Sequence, residues 1–433
     1  MKIPQKLFFF ILISSVCIWI SSNISWGKNN WKGILESDAR GYYAYLPATF
    51  IYKDFNFGFF DSIEGKKYFD KNFYYDYRVV ANEKIINKYW CGTSICELPF
   101  FLLSHIFTFF TNGDTDGYSK LYPILINCAA IFYLMIGLIY LEKLLVLFSI
   151  DEKKRWMTLG LVFFATNLFY YTIIEPGMSH VYSFALICIF IYHFKKFVLQ
   201  PNTKSLYFLS ASLGLIFLIR PANLMILFAL PFVAGSKNDF IATFKFIVRE
   251  KVKFTAAVLL FTSICSIQFV IYKISTGYFF IDSYPGEKFN FLHPHIFDIL
   301  FSYKKGLFLY TPFFLLCFGG IFIIYKNSKW QAFSIFIFLF LITYILSCWH
   351  NWWYGGSFSS RVYVEYLPVF AILFAVLIQN ISSKMRKFIL AISIILLLLC
   401  QVQIYQYRYN QITWDSMTKE KYWNVFLRLD KII

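Results

Sequence analysis

Hydrophobic residues fall in long blocks separated by short polar pieces, at 7–24, 121–148, 157–174, 180–198, 205–220, 222–236, 254–273, 306–325, 331–349, 362–380 and 386–404. Blocks of this kind predict membrane-spanning α-helices, because about 20 apolar residues at a 1.5 Å rise match the hydrocarbon core of a bilayer. The 205–220 and 222–236 blocks are short and need support from their neighbours. The pattern predicts an all-α membrane protein of about 11 transmembrane helices in a single integral domain, 1–433, with its bundle over 121–404. No internal repeat and no low-complexity linker divides it. The 7–24 block follows Lys2 and Lys6 and lacks a small-residue cleavage site, which reads as an uncleaved signal-anchor span with its N-terminus inside. The 97–112 stretch opens with Glu97 and Pro99 and holds His105; it would be a twelfth span only if it crosses.

Basic residues sort the polar pieces. Lys153, Lys154 and Arg155, then Lys195 and Lys196, Lys245 to Lys253, Lys326 to Lys329, and Lys384 to Lys387 cluster between hydrophobic blocks. Cytoplasmic loops carry such an excess of lysine and arginine. If those loops are all inside, 121–148 runs inward, 25–120 is a wholly outer loop, and 97–112 is a re-entrant or interfacial helix. The same parity puts 175–179, 220–222, 274–305, 349–361 and the 405–433 tail outside, so every chemically interesting residue gathers on one face. The outer loop holds Trp31, Tyr42, Tyr43, Tyr45, Tyr74, Tyr75, Tyr77, Tyr89 and Trp90, which suits interfacial helices at headgroup level. The tail, with Trp414, Tyr422, Trp423 and Phe426 among Lys419, Glu420 and Lys421, reads as an amphipathic cover.

Composition agrees: 58% of the 433 residues are hydrophobic and 22% aromatic, against about 45–50% apolar in soluble domains. The net charge of +17 is dispersed among loops rather than gathered in one patch, so it points to membrane lipid as a partner and to no nucleic acid. Of nine cysteines, most lie inside apolar blocks as small hydrophobes. Cys91 and Cys96 are placed to pair on the outer face. No Cys/His spacing resembles a zinc site.

Five outer stretches carry the polar chemistry. Glu36-Ser37-Asp38, beside Arg40, Tyr42 and Tyr43, offers a carboxylate near the bilayer, where an acid is costly and tends to mark a site. Asp38 fits a general base, with Glu36 as its neighbour; two acids two residues apart also suit a divalent ion, so a metal is possible, while the motif equally suits a solvated helix start. Lys88, ahead of Cys91-Gly92-Thr93, is either a snorkelling lysine or a phosphate ligand at a helix start. Glu175 to His180 is a tight turn whose Glu175 and His180 either face water or line a substrate cleft. Arg220, between two apolar blocks, and Lys304-Lys305, which run against the positive-inside trend, suit an anionic ligand; Arg220 equally suits a snorkelling role. In Trp349 to Arg361, the residues His350, Trp352 and Trp353 form either an aromatic belt or a carbohydrate surface, Arg361 is a third candidate phosphate ligand, and Glu365 follows. There is no Gly-x-Ser-x-Gly elbow, Walker loop, dinucleotide fingerprint or His-Glu-x-x-His.

These residues resemble the GT-C superfamily of integral membrane glycosyltransferases, in the flavour of protein O-mannosyltransferases and lipid A aminoarabinose transferases of the bacterial family-39-like branch. Glu36-Ser37-Asp38 sits where that family places an acidic motif in its first outer loop, which implies Asp38 as catalytic base; the family usually has an adjacent acidic pair. Lys88 lies where the family has a Lys-Pro-Pro-Leu stretch that contacts the lipid phosphate, although the prolines are absent here. Glu175 to His180, Lys305-Gly306-Leu307 and Trp353 to Arg361 are similar to stretches in bacterial relatives. The resemblance implies a GT-C-like bundle and a polyprenyl-phosphate sugar donor. It also implies a protein, lipid or glycan acceptor and inverting transfer on the periplasmic face of a bacterial inner membrane. It implies no nucleotide cofactor, with a divalent metal in some branches only. Arg220, Lys304, Lys305, Arg361 and Lys88 would hold the lipid phosphate, and Glu175, His180, His350, Trp352, Trp353 and Tyr42 the substrate. A transporter, flippase or polymerase of lipid-linked glycans is the competing expectation; a transporter would put polar residues near the bilayer midplane.

Overall fold

The computed structural model describes residues 5–68 and 75–430. Lys2, Tyr74 and residues 431–433 of the expected tail lie outside the described residues. The described residues are mostly helical, and among them eight helices are long and apolar enough to cross a membrane. In chain order the helices begin with α1 (Gln5–Ile24), α2 (Asp38–Pro47), α3 (Gly92–Phe110), α4 (Leu121–Leu147), α5 (Glu152–Phe164) and α6 (Leu168–Ile173). There follow α7 (His180–Leu199), α8 (Thr203–Ile219), α9 (Leu230–Ala234), α10 (Lys237–Arg249), α11 (Lys251–Thr276) and α12 (Ile296–Phe301). The last are α13 (Leu307–Tyr310), α14 (Phe313–Cys317), α15 (Gly319–Asn327), α16 (Lys329–Ser347), α17 (Leu367–Asn380), α18 (Ser383–Arg408) and α19 (Lys419–Val425).

Burial sorts the long helices into centre and rim. The Arg361–Asn380 stretch that contains α17 is 89% buried over its apolar window and α7 78%, whereas α1, α11 and α18 are only 17–22% buried. Apolar helices left this bare suit a lipid environment, where an exposed leucine carries no penalty. The core therefore runs along α7 and α17, with α4 and α8 packed against α7.

Several expected continuous spans are broken, each for a local reason. The 157–174 block splits into α5 and α6 at Thr166, whose hydroxyl donates to the Val162 carbonyl at 2.6 Å and accepts from the Leu168 amide at 3.2 Å. The 306–325 block divides at Pro312, which has no N–H to give. Pro221 opens a 3-10 stretch, Pro221–Ala229, before the short α9. The 237–253 segment, expected to be an inner loop, contains the amphipathic α10. The segment expected to be an outer loop is not all helix either. Strands Arg78–Ala81 and Lys84–Asn87 pair antiparallel around Asn82-Glu83, both at positive φ, as a two-residue hairpin turn requires.

The helix α3 starts earlier than the 97–112 stretch and is long and apolar enough to cross. Both of its ends are nevertheless tied to the same segment. Ser94 near its start bonds the Tyr42 carbonyl, and the loop beyond it returns so that Tyr43 bonds the Gly117 carbonyl. Asp116 in that loop accepts from Lys67 at 2.8 Å and from Tyr68 at 2.7 Å. Cys91 and Cys96 are free, buried thiols: Cys91 packs at the α3 start with its amide on Gln268, so the expected pairing does not form.

Candidate active site

Asp38 is the first residue of α2, and a carboxylate there interacts favourably with the helix dipole. Ser37, just before it, is held at φ +52°, a costly backbone conformation for a side-chain-bearing residue. Gly41 leaves room one turn later: a Cβ there would meet the Tyr89 ring at 2.2 Å. Tyr89 is fixed over that gap by Asn87, which accepts from its amide at 2.9 Å, and by Tyr45, which donates to its carbonyl at 2.6 Å. Its hydroxyl consequently donates to Asp38 Oδ1 at 2.8 Å, and it touches the Tyr75 hydroxyl.

The other Asp38 oxygen, Oδ2, accepts from Arg361 Nη2 at 2.7 Å. Arg361 opens a 3-10 turn, Arg361–Tyr366. The preceding Ser360 anchors that turn by donating to the carbonyls of Ile299 at 2.7 Å and Lys305 at 2.9 Å. Burial pushes the Asp38 carboxyl up, but Arg361, the Tyr89 hydroxyl and Arg220 outweigh it and hold the acid below its ordinary value. Asp38 is thus an anion clamped between a phenol and a guanidinium.

A second cluster adjoins it through Tyr42, whose ring lies 4.8 Å from that of Tyr89. Arg220 donates to the Tyr42 hydroxyl at 3.1 Å and lies 3.6 Å from Glu365. Glu365 also meets His180 Nδ1 at 2.9 Å, and both residues are fully buried.

The third cluster holds Glu175 and Lys305. Glu175 accepts from the Tyr170 hydroxyl at 2.8 Å through Oε1, while its buried Oε2 has no partner. Burial raises its carboxyl to about 7, against the pull of Tyr170 and Arg361. Lys305 is 1% exposed, donates to the Ser357 carbonyl and lies over the Tyr407 ring. Burial lowers its ammonium to about 7, with Glu175 opposing and Arg361 reinforcing the shift. Glu36 is raised by burial, with Arg40 in opposition.

The fold therefore brings together Asp38, Tyr42, Glu175, His180, Arg220, Lys305 and Arg361 from five separate stretches. The remaining sequence candidates are engaged by other partners. Lys304 is bonded to Asp415 at 2.8 Å and capped by the Trp353 ring at 3.7 Å, so both are engaged with the tail side. Lys88 is bound by Glu287 and covered by Tyr284, and His350, 43% exposed, lies 3.9 Å from the same carboxylate. Trp352 is buried against His295. Tyr89 and Glu365 are the participants that sequence reasoning passed over. Glu365 had a signal, a carboxylate within an apolar run; Tyr89 was indistinguishable from its many tyrosine neighbours. Among the described residues no three His, Cys, Asp or Glu side chains converge to hold a metal ion.

No protein-family model matches the chain, and no curated protein matches it.

Proposed function

We propose that the chain is a membrane glycosyltransferase that moves a sugar from a polyprenyl-phosphate donor to an acceptor hydroxyl, with inversion. The observation that carries this reading is the Asp38 carboxylate, kept ionised beside two arginines and among the Tyr42 and Tyr89 rings. The acceptor hydroxyl forms a bond to the anomeric carbon as the bond from that carbon to the phosphate oxygen breaks. The hydroxyl proton passes to Asp38, and the departing phosphate takes up charge.

Arg361 suits that last step. It spends Nη2 on Asp38, while its buried Nε has no partner and Nη1 meets only the Met178 sulfur at 4.0 Å. A guanidinium has five donors in a planar fork, so Arg361 has N–H groups left for a phosphate without releasing the base. Arg220, placed across Tyr42, supplies a second cation, and a cation fixed where charge develops lowers the barrier by several kcal/mol. Chemistry at this end of the bundle fits the periplasmic face of a bacterial inner membrane.

The test is transfer of label from polyprenyl-phosphate sugars in membranes containing wild type or Asp38→Asn. Label moved by wild type alone supports the assignment. Label moved equally by a well-folded Asp38→Asn removes Asp38 as base and directs attention to Glu175, whose carboxyl near 7 suits proton transfer. Label moved by neither, with lipid-linked glycan carried across the bilayer instead, would replace the reading with a transporter.

A further inference from the structure

Along α7, thirteen residues beyond His180 and about 20 Å further on, His193 occupies an unusual position. It is 6% exposed, and neither ring nitrogen has a hydrogen-bond partner. Its ring stacks on Phe208 of α8 at 4.5 Å and 8°, with Tyr140 of α4 at 5.9 Å. Buried polar groups are rarely left without partners, because the desolvation cost is then uncompensated.

Three lysines stand on the helices that enclose it: Lys143 on α4, Lys196 on α7 and Lys204 at the start of α8, the helices that carry Tyr140, His193 and Phe208. Lys143 lies over the Tyr140 ring at 4.8 Å. Among the described residues none of the three has a carboxylate within salt-bridge distance. The nearest acid in sequence, Glu142, is already taken by Lys6 at 2.8 Å and by Arg155 at 3.0 Å. Lysines at helix ends ordinarily just face water. Here three lysines without a carboxylate partner sit on the helices that enclose a buried imidazole lacking a partner on either nitrogen, and the aromatic wall beside it reaches the outside of the bundle at Phe208, 40% exposed.

We infer that the α4–α7–α8 junction around His193, Lys143, Lys196 and Lys204 is a phosphate-binding site that takes the headgroup of an anionic phospholipid, with its chains along the face bearing Phe208. Basic recesses between spans suit lipid phosphates, and an acceptor-rich headgroup satisfies both the lysines and a neutral imidazole N–H. The inference is independent of the transfer chemistry proposed for Asp38.

The experiment is native mass spectrometry of the full chain in detergent, titrated with phosphatidylglycerol, phosphatidylcholine or inorganic phosphate. Wild type should retain phosphatidylglycerol in preference to phosphatidylcholine. The triple variant Lys143→Gln/Lys196→Gln/Lys204→Gln should bind it roughly a hundredfold more weakly, since each lysine near an anionic surface contributes about fivefold. A control that removes three exposed lysines elsewhere, Lys326→Gln/Lys329→Gln/Lys387→Gln, should bind as wild type does. His193→Phe, which keeps the stacking on Phe208, should also bind more weakly, and it carries the test if the triple variant misfolds. Equal loss in both triples, or equal retention of the two lipids, would overturn the site in favour of diffuse charge. Saturation by inorganic phosphate at the same affinity would retain a phosphate site but overturn its assignment to lipid.

Discussion

Glu175 and Lys305 should give the protein a stability minimum near pH 7. Glu175 has its carboxyl raised to about 7 by burial, against an ordinary value of 4.5. Between those two values the folded state holds a proton that the unfolded chain has released, so stability falls as pH rises from 4.5 to 7 and is level above. Lys305 is lowered to about 7 from 10.5. Between 7 and 10.5 the folded state has lost a proton that the unfolded chain still holds, so stability rises with pH over that window. At about 1.4 kcal/mol per pH unit of separation, the falling arm amounts to about 3 kcal/mol and the rising arm to about 5 kcal/mol. Thermal unfolding of the detergent-solubilised protein from pH 4.5 to 10.5 measures both. In a chain of this length 1 kcal/mol moves Tm by about 1–2 °C. Other groups, Glu64 among them with its carboxyl raised to about 7 by burial, add to the wild-type profile, so the informative quantity is the difference from a variant. Glu175→Gln, which can still accept from Tyr170, should flatten the acid arm by about 3–6 °C, and Lys305→Gln should flatten the alkaline arm. If either variant keeps the wild-type slope in its own window, the burial reasoning for that residue is wrong.

Replacing Arg361 with lysine keeps a charge beside Asp38 but loses the planar fork, so transfer should drop by about 10- to 100-fold with Tm nearly unchanged; a full rate in Arg361→Lys would show that charge alone suffices. Gly92→Ala should lower Tm, at a cost of about 1–3 kcal/mol, because its Cβ would lie 2.3 Å from the backbone of Leu218 and Ile219. An unchanged melting curve would mean that α3 and α8 are not packed as closely as described.

Hydropathy made the long elements legible: the 121–148, 180–198 and 331–349 blocks lie on α4, α7 and α16 almost residue for residue. It could not see breaks such as Thr166 or Pro312, because hydropathy averages over a window while a helix is interrupted by one missing or diverted hydrogen bond. Nor could it see α10, where apolar residues recur on one face only. The candidate site was legible as a set of residue types on one side of the blocks, which is how Asp38, Arg220 and Arg361 came to notice. The partnerships were not. Nothing in the chain near Lys88 or Lys304 announces that Glu287 and Asp415 bind them, since those acids lie more than a hundred residues away. The same distance hid the role of Tyr89, which depends on Gly41 being small enough to let a ring lie across it.

The bond between Asp38 and Arg361 spans 323 residues of sequence. At a synthesis rate of about 5–20 residues per second, the arginine emerges roughly 15–65 s after the acid. Until then Asp38 has its tyrosine neighbour but not the guanidinium that binds its second oxygen. The protein therefore cannot assemble this cluster span by span. The cluster is completed only when the stretch leading into α17 has been seated, so a chain interrupted before that point would carry its acid but not the clamp that holds it.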